Sequence, residues 1–371
     1  MAEPLKNIYN GTFFEIYSDA LACVVPDFNK KTFLSSYYTT HWDTLELKQR
    51  MAYLAKNTDA ILPENFKDKV QYLCNIIDHL RKNKVKDQNL EYSFLADIIT
   101  YHGLDDLETS IPAIEYVTQF VSFEFAGRAF IIKHPKTMMN QMLHWADHPN
   151  ENVRRYASEG CRPRLPWGTQ LKMLVEDPSP ILPILEKLKD DDSLYVRKSV
   201  ANNINDISKD HPTLITSIIK KWKGTSDHTD WIIKHGARTL LKKGNPEVLH
   251  MFGTSQATPY TLEAFKLNTS ELSLDTSLSF SFILVNKGNT IAKFRVEYNI
   301  WYIKANGQYS KKIFKLAEKA LAPSQQQKFE KTHRFQDLTT RKHYPGTHKV
   351  SIVINGQESK ALSFELIMNY E

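Results

Sequence analysis

The chain has 371 residues, of which 42% are hydrophobic and 24% are charged. This length exceeds what one ordinary core serves, so two or three domains are expected, and the apolar content excludes a disordered protein. The formal net charge of +6 suits an anionic partner without identifying one.

Cysteine usage and the lack of long apolar runs bear on the compartment. Cys23, Cys74 and Cys161 lie far apart, without CxxC spacing, and their odd number favours reduced thiols. The first residues lack the apolar core of a signal peptide, and no apolar run approaches about 20 residues. We therefore expect a soluble cytoplasmic protein with no membrane partner.

Up to about residue 253, apolar residues recur at helical spacing, which predicts helices throughout. The first unusual segment is residues 113–131, interpreted as one helix in which Glu124 takes a place on the apolar stripe. A buried carboxylate needs a partner. Two interpretations remain open: a structural ion pair with Arg128 one turn later, or a functional carboxylate.

Two segments further along, residues 148–157 and 191–201, align with each other, because both place a polar turn before a Val-Arg-basic sequence. Val153 and Val196 are 43 positions apart, a period typical of HEAT-like repeats. A weaker copy places Ile232 another 36 positions on. Stacked repeats curve, so we predict a solenoid whose concave side suits a long ligand, either a duplex or a protein partner.

The sequence Arg-Pro-Arg-Leu-Pro-Trp lies between the first two copies. Arg155 and Glu159 precede it, one helical turn apart, and its prolines prevent regular helix. On one interpretation this stiff loop offers Arg162 and Arg164 to phosphates and Trp167 to a base or a cation. On the other it is a turn between repeats, with the tryptophan in the core and the arginines solvated.

The second copy begins with two cations, Arg197 and Lys198, at a predicted helix start, and Asp206 belongs to the polar tail that follows. A helix start exposes backbone amides, so phosphate contact is one interpretation of these cations. A solvated helix face explains the same residues and remains the alternative.

After residue 253 the pattern changes to short alternating segments between turn signals. Residues 279–285, 294–303 and 350–354 have the composition of strands, and Asn-Gly pairs after the second and third indicate hairpins. Strands at this density over roughly 100 residues predict an immunoglobulin-like β-sandwich. The predicted domains are a HEAT-like domain at 1–253 and a β-sandwich at 259–371, connected by residues 255–259.

Three blocks of the helical part resemble the AlkC-type DNA alkylation-repair glycosylases, relatives of the AlkD-type enzymes with HEAT-like repeats. The blocks are Ser122–Phe130, Arg154–Gly168 and Val196–Pro212. Some AlkC-type members carry an immunoglobulin-like domain after the repeats, which matches the strand-rich tail. The first block departs from the family's motif at Gly127, which weakens the predicted helix by about 1 kcal/mol relative to alanine. The fold class is thus expected to be mainly α, a HEAT-like solenoid followed by a small all-β sandwich.

The resemblance implies base excision repair: hydrolysis of the N-glycosidic bond of cationic N3-alkylated bases, such as 3-methyladenine and 3-methylcytosine, in duplex DNA. Family relatives are associated with catalysis that leaves the lesion in the duplex, and the same is expected here. The cationic base leaves as a neutral species, so no general acid is required. The enzyme must supply negative charge beside the developing sugar cation and a carboxylate for the attacking water.

Site residues follow from this chemistry. Catalytic candidates are Glu124 and Glu159, with Asp206 a weaker third, and Trp167 would stabilise positive charge through its π face. DNA-binding candidates are Arg155, Arg162, Arg164, Arg197 and Lys198. Neither a cofactor nor a metal ion is expected, the partner is duplex DNA containing alkylated bases, no obligate protein partner is inferred, and the bacterial cytosol or nucleoid is the expected location.

Two alternatives belong to other classes. A non-catalytic HEAT-like scaffold would bind a protein partner along its concave face, with the glutamates reduced to ion pairs, and an inactive relative would bind damaged DNA without cleaving it. The strand-rich tail is basic, which suits either a clasp on DNA or a solubilising surface. Its cations are Lys311, Lys312, Lys315, Lys328, Lys331, Arg334, Arg341 and Lys342.

Overall fold

The computed structural model describes residues 3–255, 257–338 and 341–368. The chain divides into two compact units, the first made of Met1–Asp210 and Lys223–Gly236, the second of His211–Trp222 and Ala237–Glu371. The domain boundary at 253 and 259 stays a prediction, and Gln256 of the expected connection lies outside the described residues.

Helices make up the first unit and the beginning of the second. Short 3-10 turns occur at Leu5–Ile8, Leu90–Tyr92 and Ser179–Ile181. The α-helices are α1 Gly11–Val24, α2 Lys30–Ser35, α3 Thr40–Thr44, α4 Leu47–Asp59, α5 Phe66–Lys82, α6 Phe94–Gly103, α7 Leu107–Phe120, α8 Gly127–Lys133, α9 Pro135–Trp145, α10 Glu151–Glu159, α11 Lys172–Glu176, α12 Leu182–Leu188, α13 Leu194–Ile207, α14 Pro212–Trp222, α15 Asp227–Gly236, α16 Arg238–Lys242 and α17 Pro246–Met251. Of these, α14, α16 and α17 belong to the second unit.

The repeat copies form consecutive packed helices. Val153, Val196 and Ile232 lie on α10, α13 and α15 and are fully buried, with α13 packed between the other two. The side chains of Asn150 and Ser193 cap α10 and α13 by accepting backbone N–H groups of the first turn. The predicted HEAT-like solenoid is confirmed, because equivalent positions of each copy bury the same face.

The single helix predicted over residues 113–131 is wrong. Helix α7 ends at Phe120, and α8 begins seven residues later. In the intervening turn, the N–H of Phe123 donates to the hydroxyl of Thr118 (3.3 Å), which satisfies a buried backbone donor outside the helix. Glu124 therefore lies in the turn between two helices and not on a helix face.

Two sheets make up the rest of the second unit. The strands are β1 Tyr260–Leu267, β2 Glu271–Ser273, β3 Ser277–Asn286, β4 Ala292–Ile303, β5 Tyr309–Leu321, β6 Gln326–Arg334, β7 Gly346–Ile354, β8 Gln357–Glu358 and β9 Leu362–Ile367. One sheet has the order β1-β3-β6 and the other β2-β9-β7-β4-β5, with β8 paired to β7. Apart from the parallel pair β2 and β9, the paired strands run antiparallel.

The core of this unit lies between the sheets, as an immunoglobulin-like sandwich requires. Phe280 of β3 packs on Tyr298 of β4 with ring centroids 5.1 Å apart, and Ile300 and Ile352 extend the same buried cluster. All three predicted strand segments lie within β3, β4 and β7. The sandwich is confirmed. Among the described residues, no helix has both the length and the apolar character needed to span a membrane.

Candidate active site

Glu124 is held at one oxygen by two polar side chains. The hydroxyl of Ser122 donates to its Oε2 (2.8 Å), and the guanidinium of Arg155 forms an ion pair with the same atom. Within the described residues, Oε1 makes no hydrogen bond or ion pair, so it remains available to a substrate or a water. The interpretation in which Glu124 pairs with Arg128 is wrong, since Arg128 bonds backbone carbonyls instead.

Arg155 connects Glu124 to the next acid along α10. Its Nη2 lies 3.6 Å from Oε1 of Glu159, the predicted spacing of one helical turn. Its guanidinium also lies 4.8 Å from the ring centroid of Tyr195 on α13. Burial lowers the pKa of Arg155, but the carboxylates of Glu124 and Glu159 raise it by more than burial lowers it. The net shift is therefore upward, and the guanidinium stays protonated.

Arg162 makes the second connection. Its Nη1 donates to Oε1 of Glu159 (2.7 Å), and its Nε and Nη2 both lie 2.8 Å from Oδ2 of Asp206. Oδ1 of Asp206 accepts from Lys209 (2.9 Å). We call the acids Glu124, Glu159 and Asp206, together with the arginines between them, the carboxylate row.

The three acids in the carboxylate row differ in side-chain exposure and in the number of oxygens that have no partner. The side chain of Glu124 is 14% exposed, that of Glu159 6% and that of Asp206 2%. Within the described residues, Glu124 and Glu159 each keep one oxygen without a hydrogen bond or ion pair, whereas both oxygens of Asp206 are engaged. Glu124 is thus the acid best placed to meet a reacting group.

The segment after α10, residues 160–171, forms a loop that we call the Trp167 loop. Arg128 reaches it from α8: Nη1 donates to the carbonyl of Gly160 (3.2 Å), Nη2 to that of Arg162 (2.9 Å), and Nε to that of Thr169. Burial lowers the pKa of Arg128 to about 10, which leaves it charged at neutral pH. One buried cation therefore fixes both arms of the loop.

Trp167 is displayed by this loop. Its side chain is 64% exposed, and its backbone adopts a positive φ of 65°, a conformation uncommon for residues other than glycine. The ammonium of Lys48 donates to its carbonyl. The interpretation in which the tryptophan packs in the core is wrong, and the strained backbone favours a functional reason for its position.

The five DNA-binding candidates differ in accessibility. Arg155 and Arg162 are engaged in the carboxylate row, so the expectation that the loop displays Arg162 is wrong. Arg164 forms a two-point ion pair with Asp210 (2.8 and 2.9 Å) at partial exposure. Arg197 donates through Nη1 to two backbone carbonyls before α13, and Lys198 is exposed.

Sequence reasoning missed the contacts of three residues of this site. Nothing marked Ser122 or Tyr195, which lie within or next to the motifs, as a partner of Glu124 or Arg155. Arg128 was considered only as a partner of Glu124, and not as the cation that holds the Trp167 loop. A basic residue on an otherwise apolar helix was the available signal for Arg128, since a buried guanidinium needs several acceptors.

The chemistry available to this site follows from the carboxylate of Glu124 and the ring of Trp167. A carboxylate with a free oxygen in a part-buried setting stabilises positive charge and accepts a proton from water, because low local dielectric strengthens both interactions. Trp167 presents a π face to solvent nearby: it lines the same pocket as Ser122, which holds Glu124. Together they suit a reaction that develops positive charge on the substrate.

Comparison with known proteins adds independent findings. Residues 261–368 match the model of a family described as "Uncharacterised protein YhaZ, C-terminal Ig-like domain". The uncharacterized protein YhaZ of Bacillus subtilis (strain 168) is 41% identical over 362 residues, which cover 98% of this chain and 99% of that protein.

A solved structure also matches over nearly the whole chain. It is the alkylpurine DNA glycosylase AlkC of Pseudomonas fluorescens, bound to DNA containing an abasic site analog. The match has a TM-score of 0.91 at 35% identity and covers 98% of this chain and 100% of that one. The helical repeats and the sandwich are therefore both shared with it.

Proposed function

This chain belongs to the AlkC family, whose HEAT-like repeats are followed by an immunoglobulin-like domain, and on that premise we propose that it is a DNA glycosylase of alkylation repair. Its substrates are duplex DNA carrying cationic N3-alkylated bases, including 3-methyladenine and 3-methylcytosine. The observation that carries the proposal is the carboxylate row, in which the accessible acid, Glu124, keeps one oxygen free.

The reaction is a hydrolysis. The N-glycosidic bond breaks with its electron pair passing to the base, whose positive charge is thereby neutralised. Water adds to the sugar carbon, and the proton that the water loses passes to a carboxylate. Glu124 stabilises the sugar cation and orients the water, Glu159 adds negative charge behind it, and Asp206 supports the row from its buried end.

The other candidates take roles that fit their surroundings. Arg155 and Arg162, which were expected to bind DNA, are positioning residues that align the acids. Trp167 stacks against the sugar or the cationic nucleotide. Arg164, Arg197 and Lys198 contact phosphates, with the lesion left in the duplex and not rotated into a pocket.

The decisive experiment incubates the purified chain with methylated duplex DNA and measures released bases by chromatography. We expect release of 3-methyladenine and 3-methylcytosine. Glu124→Gln should lower single-turnover excision by about 100-fold or more, with DNA affinity nearly unchanged, because the lost charge acts in the transition state. Glu176→Gln, an exposed acid at the end of α11, is the matched control. Absence of release by the wild-type protein would refute the proposal.

One observation favours a second candidate, a protein that binds damaged DNA without cleaving it. Every acid in the carboxylate row is already neutralised by an arginine, as in a structural network. Under this alternative the wild-type protein binds alkylated duplex in preference to unmodified duplex, and no base is released. The same chromatography separates the two functions.

A further inference from the structure

A pocket of about 260 Å³ lies in the first unit beside the carboxylate row. Helices α4 and α6, the turn between α7 and α8, and the Trp167 loop form its walls, and we call it the α4–α6 pocket. Ser122 belongs both to this wall and to the hydrogen bonds that hold Glu124. The pocket is therefore one side chain away from the accessible acid.

The lining combines aromatic and apolar surfaces with a smaller number of polar side chains. Trp167 and Phe125 supply rings, while Leu47, Met51 and Ala96 supply aliphatic surface. Pockets that hold drug-sized ligands measure about 300–1,000 Å³, so this one has room for a single flat ring system. Aromatic and apolar walls of this kind hold nucleobases by stacking.

Asp97, in the first turn of α6, is the unexplained group in this lining. Within the described residues its carboxylate makes no hydrogen bond and no ion pair. Burial raises its pKa to about 6, and the charge of Lys48 counteracts this only in part. A half-buried carboxylate without a partner is unfavourable for folding, and its place in the pocket wall suits a ligand that donates hydrogen bonds to it.

We propose that the α4–α6 pocket binds the purine that is released when 3-methyladenine is excised, a neutral base with an exocyclic amine, held by the carboxylate of Asp97 and the rings of Trp167 and Phe125. This inference rests on the proposed glycosylase function. The departing base passes Ser122 into the pocket, which keeps it from recombining with the sugar cation at Glu124.

The lining favours a base over a nucleotide or a phosphate. Among the described lining residues Lys48 is the one cation, and its ammonium already donates to the carbonyl of Trp167. A phosphate would meet the carboxylate of Asp97 without a compensating cluster of cations. An amine donor on a flat ring satisfies the same carboxylate.

The test titrates free 3-methyladenine into the full-length protein, without DNA, and follows binding by calorimetry. We expect saturable binding of one base per chain. Asp97→Asn should weaken it by about tenfold or more, because a hydrogen bond to a charged acceptor is lost. Leu47→Trp should abolish it by filling the pocket. Asp68→Asn, the same charge change at an exposed position of α5, is the control and should bind like the wild type.

No saturable binding to the wild-type protein, or binding that both pocket variants leave unchanged, overturns the inference. Thermal melts verify that each variant folds. If Leu47→Trp does not fold, the binding measured with Asp97→Asn alone decides the test. Binding is measured without DNA, so the two proposals fail separately. Excision without base binding removes the pocket assignment alone, whereas base binding without excision removes the glycosylase assignment and leaves a nucleobase site.

Discussion

Trp167 is a large aromatic side chain that the fold leaves mostly in solvent, on a backbone of positive φ. Because little of it is buried, Trp167→Ala should change the melting temperature very little. Excision from methylated duplex should fall by about tenfold or more, the loss of a cation–π contact in a partly desolvated site. Single-turnover rates and melts on one preparation check both parts. A large drop in melting temperature would instead identify the ring as a packing element.

The carboxyl group of Asp97 should make the folding stability of the protein depend on pH. Its folded pKa of about 6 lies above the ordinary value of 3.8, so between these pH values the folded state binds more protons than the unfolded state. Stability therefore falls as pH rises through this window, and at pH 7.5 the ionised carboxylate is a net penalty. We expect Asp97→Asn to be more stable than the wild type by about 1–2 kcal/mol at pH 7.5.

Denaturant titrations at pH 4.5 and pH 7.5 measure this effect. The advantage of the variant should shrink at the lower pH, where the wild-type acid is protonated. Asp68→Asn, the same change at an exposed position of α5, is the control for the loss of one charge. A variant that is less stable at pH 7.5 would mean that the carboxylate is paired in solution.

For single residues, the sequence marks unusual side chains but does not predict their contacts. The motifs single out Glu124, Glu159 and Trp167, since acids and an aromatic residue stand out from a helical background. The contact of Arg155 with Ser122 and that of Arg162 with Asp206 are set by the approach of residues 30 to 45 positions apart. No local pattern encodes that approach.

Among the elements, the repeat helices are predictable and the break between α7 and α8 is not. A period of about 40 residues shows directly in the sequence, because each copy buries the same positions. The stripe across residues 113–131 continues in phase through the break, so the spacing of apolar residues alone cannot reveal the turn. The bond from Phe123 to Thr118 that stabilises it depends on one hydroxyl.

Gly127, the first residue of α8, tests how closely this element packs on α10. A Cβ at this position would collide with the hydroxyl of Tyr156. Gly127→Ala should therefore destabilise the protein by about 1–3 kcal/mol, as overpacking does in a dense core. Gly127 begins α8 and does not lie in the middle of a helix, so it does not weaken one. A glycine is required there because a larger side chain would collide with Tyr156.

Three further variants make this prediction specific. The hydroxyl of Tyr156 is buried without a hydrogen-bond partner in the described residues, so Tyr156→Phe should change stability little. Combined with Gly127→Ala it should recover only part of the lost stability, because the added Cβ would still lie 3.0 Å from Cζ of the ring. Gly11→Ala, at the open start of α1, should be neutral or slightly stabilising. Thermal melts of these four variants and the wild type suffice, and failure of the double variant to recover any of the lost stability would reject the steric explanation.

For the whole molecule, the strand assignments show where the cations of the β-sandwich lie and which of them form ion pairs. Lys312 lies on β5, and Lys331 and Arg334 lie on β6; within the described residues none of the three forms an ion pair. By contrast, Lys328 of β6 pairs with Glu330 at 2.5 Å. Unpaired cations are the ones that release counterions when they meet phosphates.

Replacing Lys312, Lys331 and Arg334 together by glutamine should therefore weaken binding to duplex DNA and flatten its dependence on salt. Each lost phosphate contact lowers the slope of log affinity against log salt concentration by about 0.9, so a change of two to about three is expected. Lys328→Gln should leave the slope nearly unchanged, because that cation is already compensated. Affinities measured at four salt concentrations distinguish a β-sandwich that grips DNA from one whose charges only keep the protein in solution, for which both variants would give the wild-type slope.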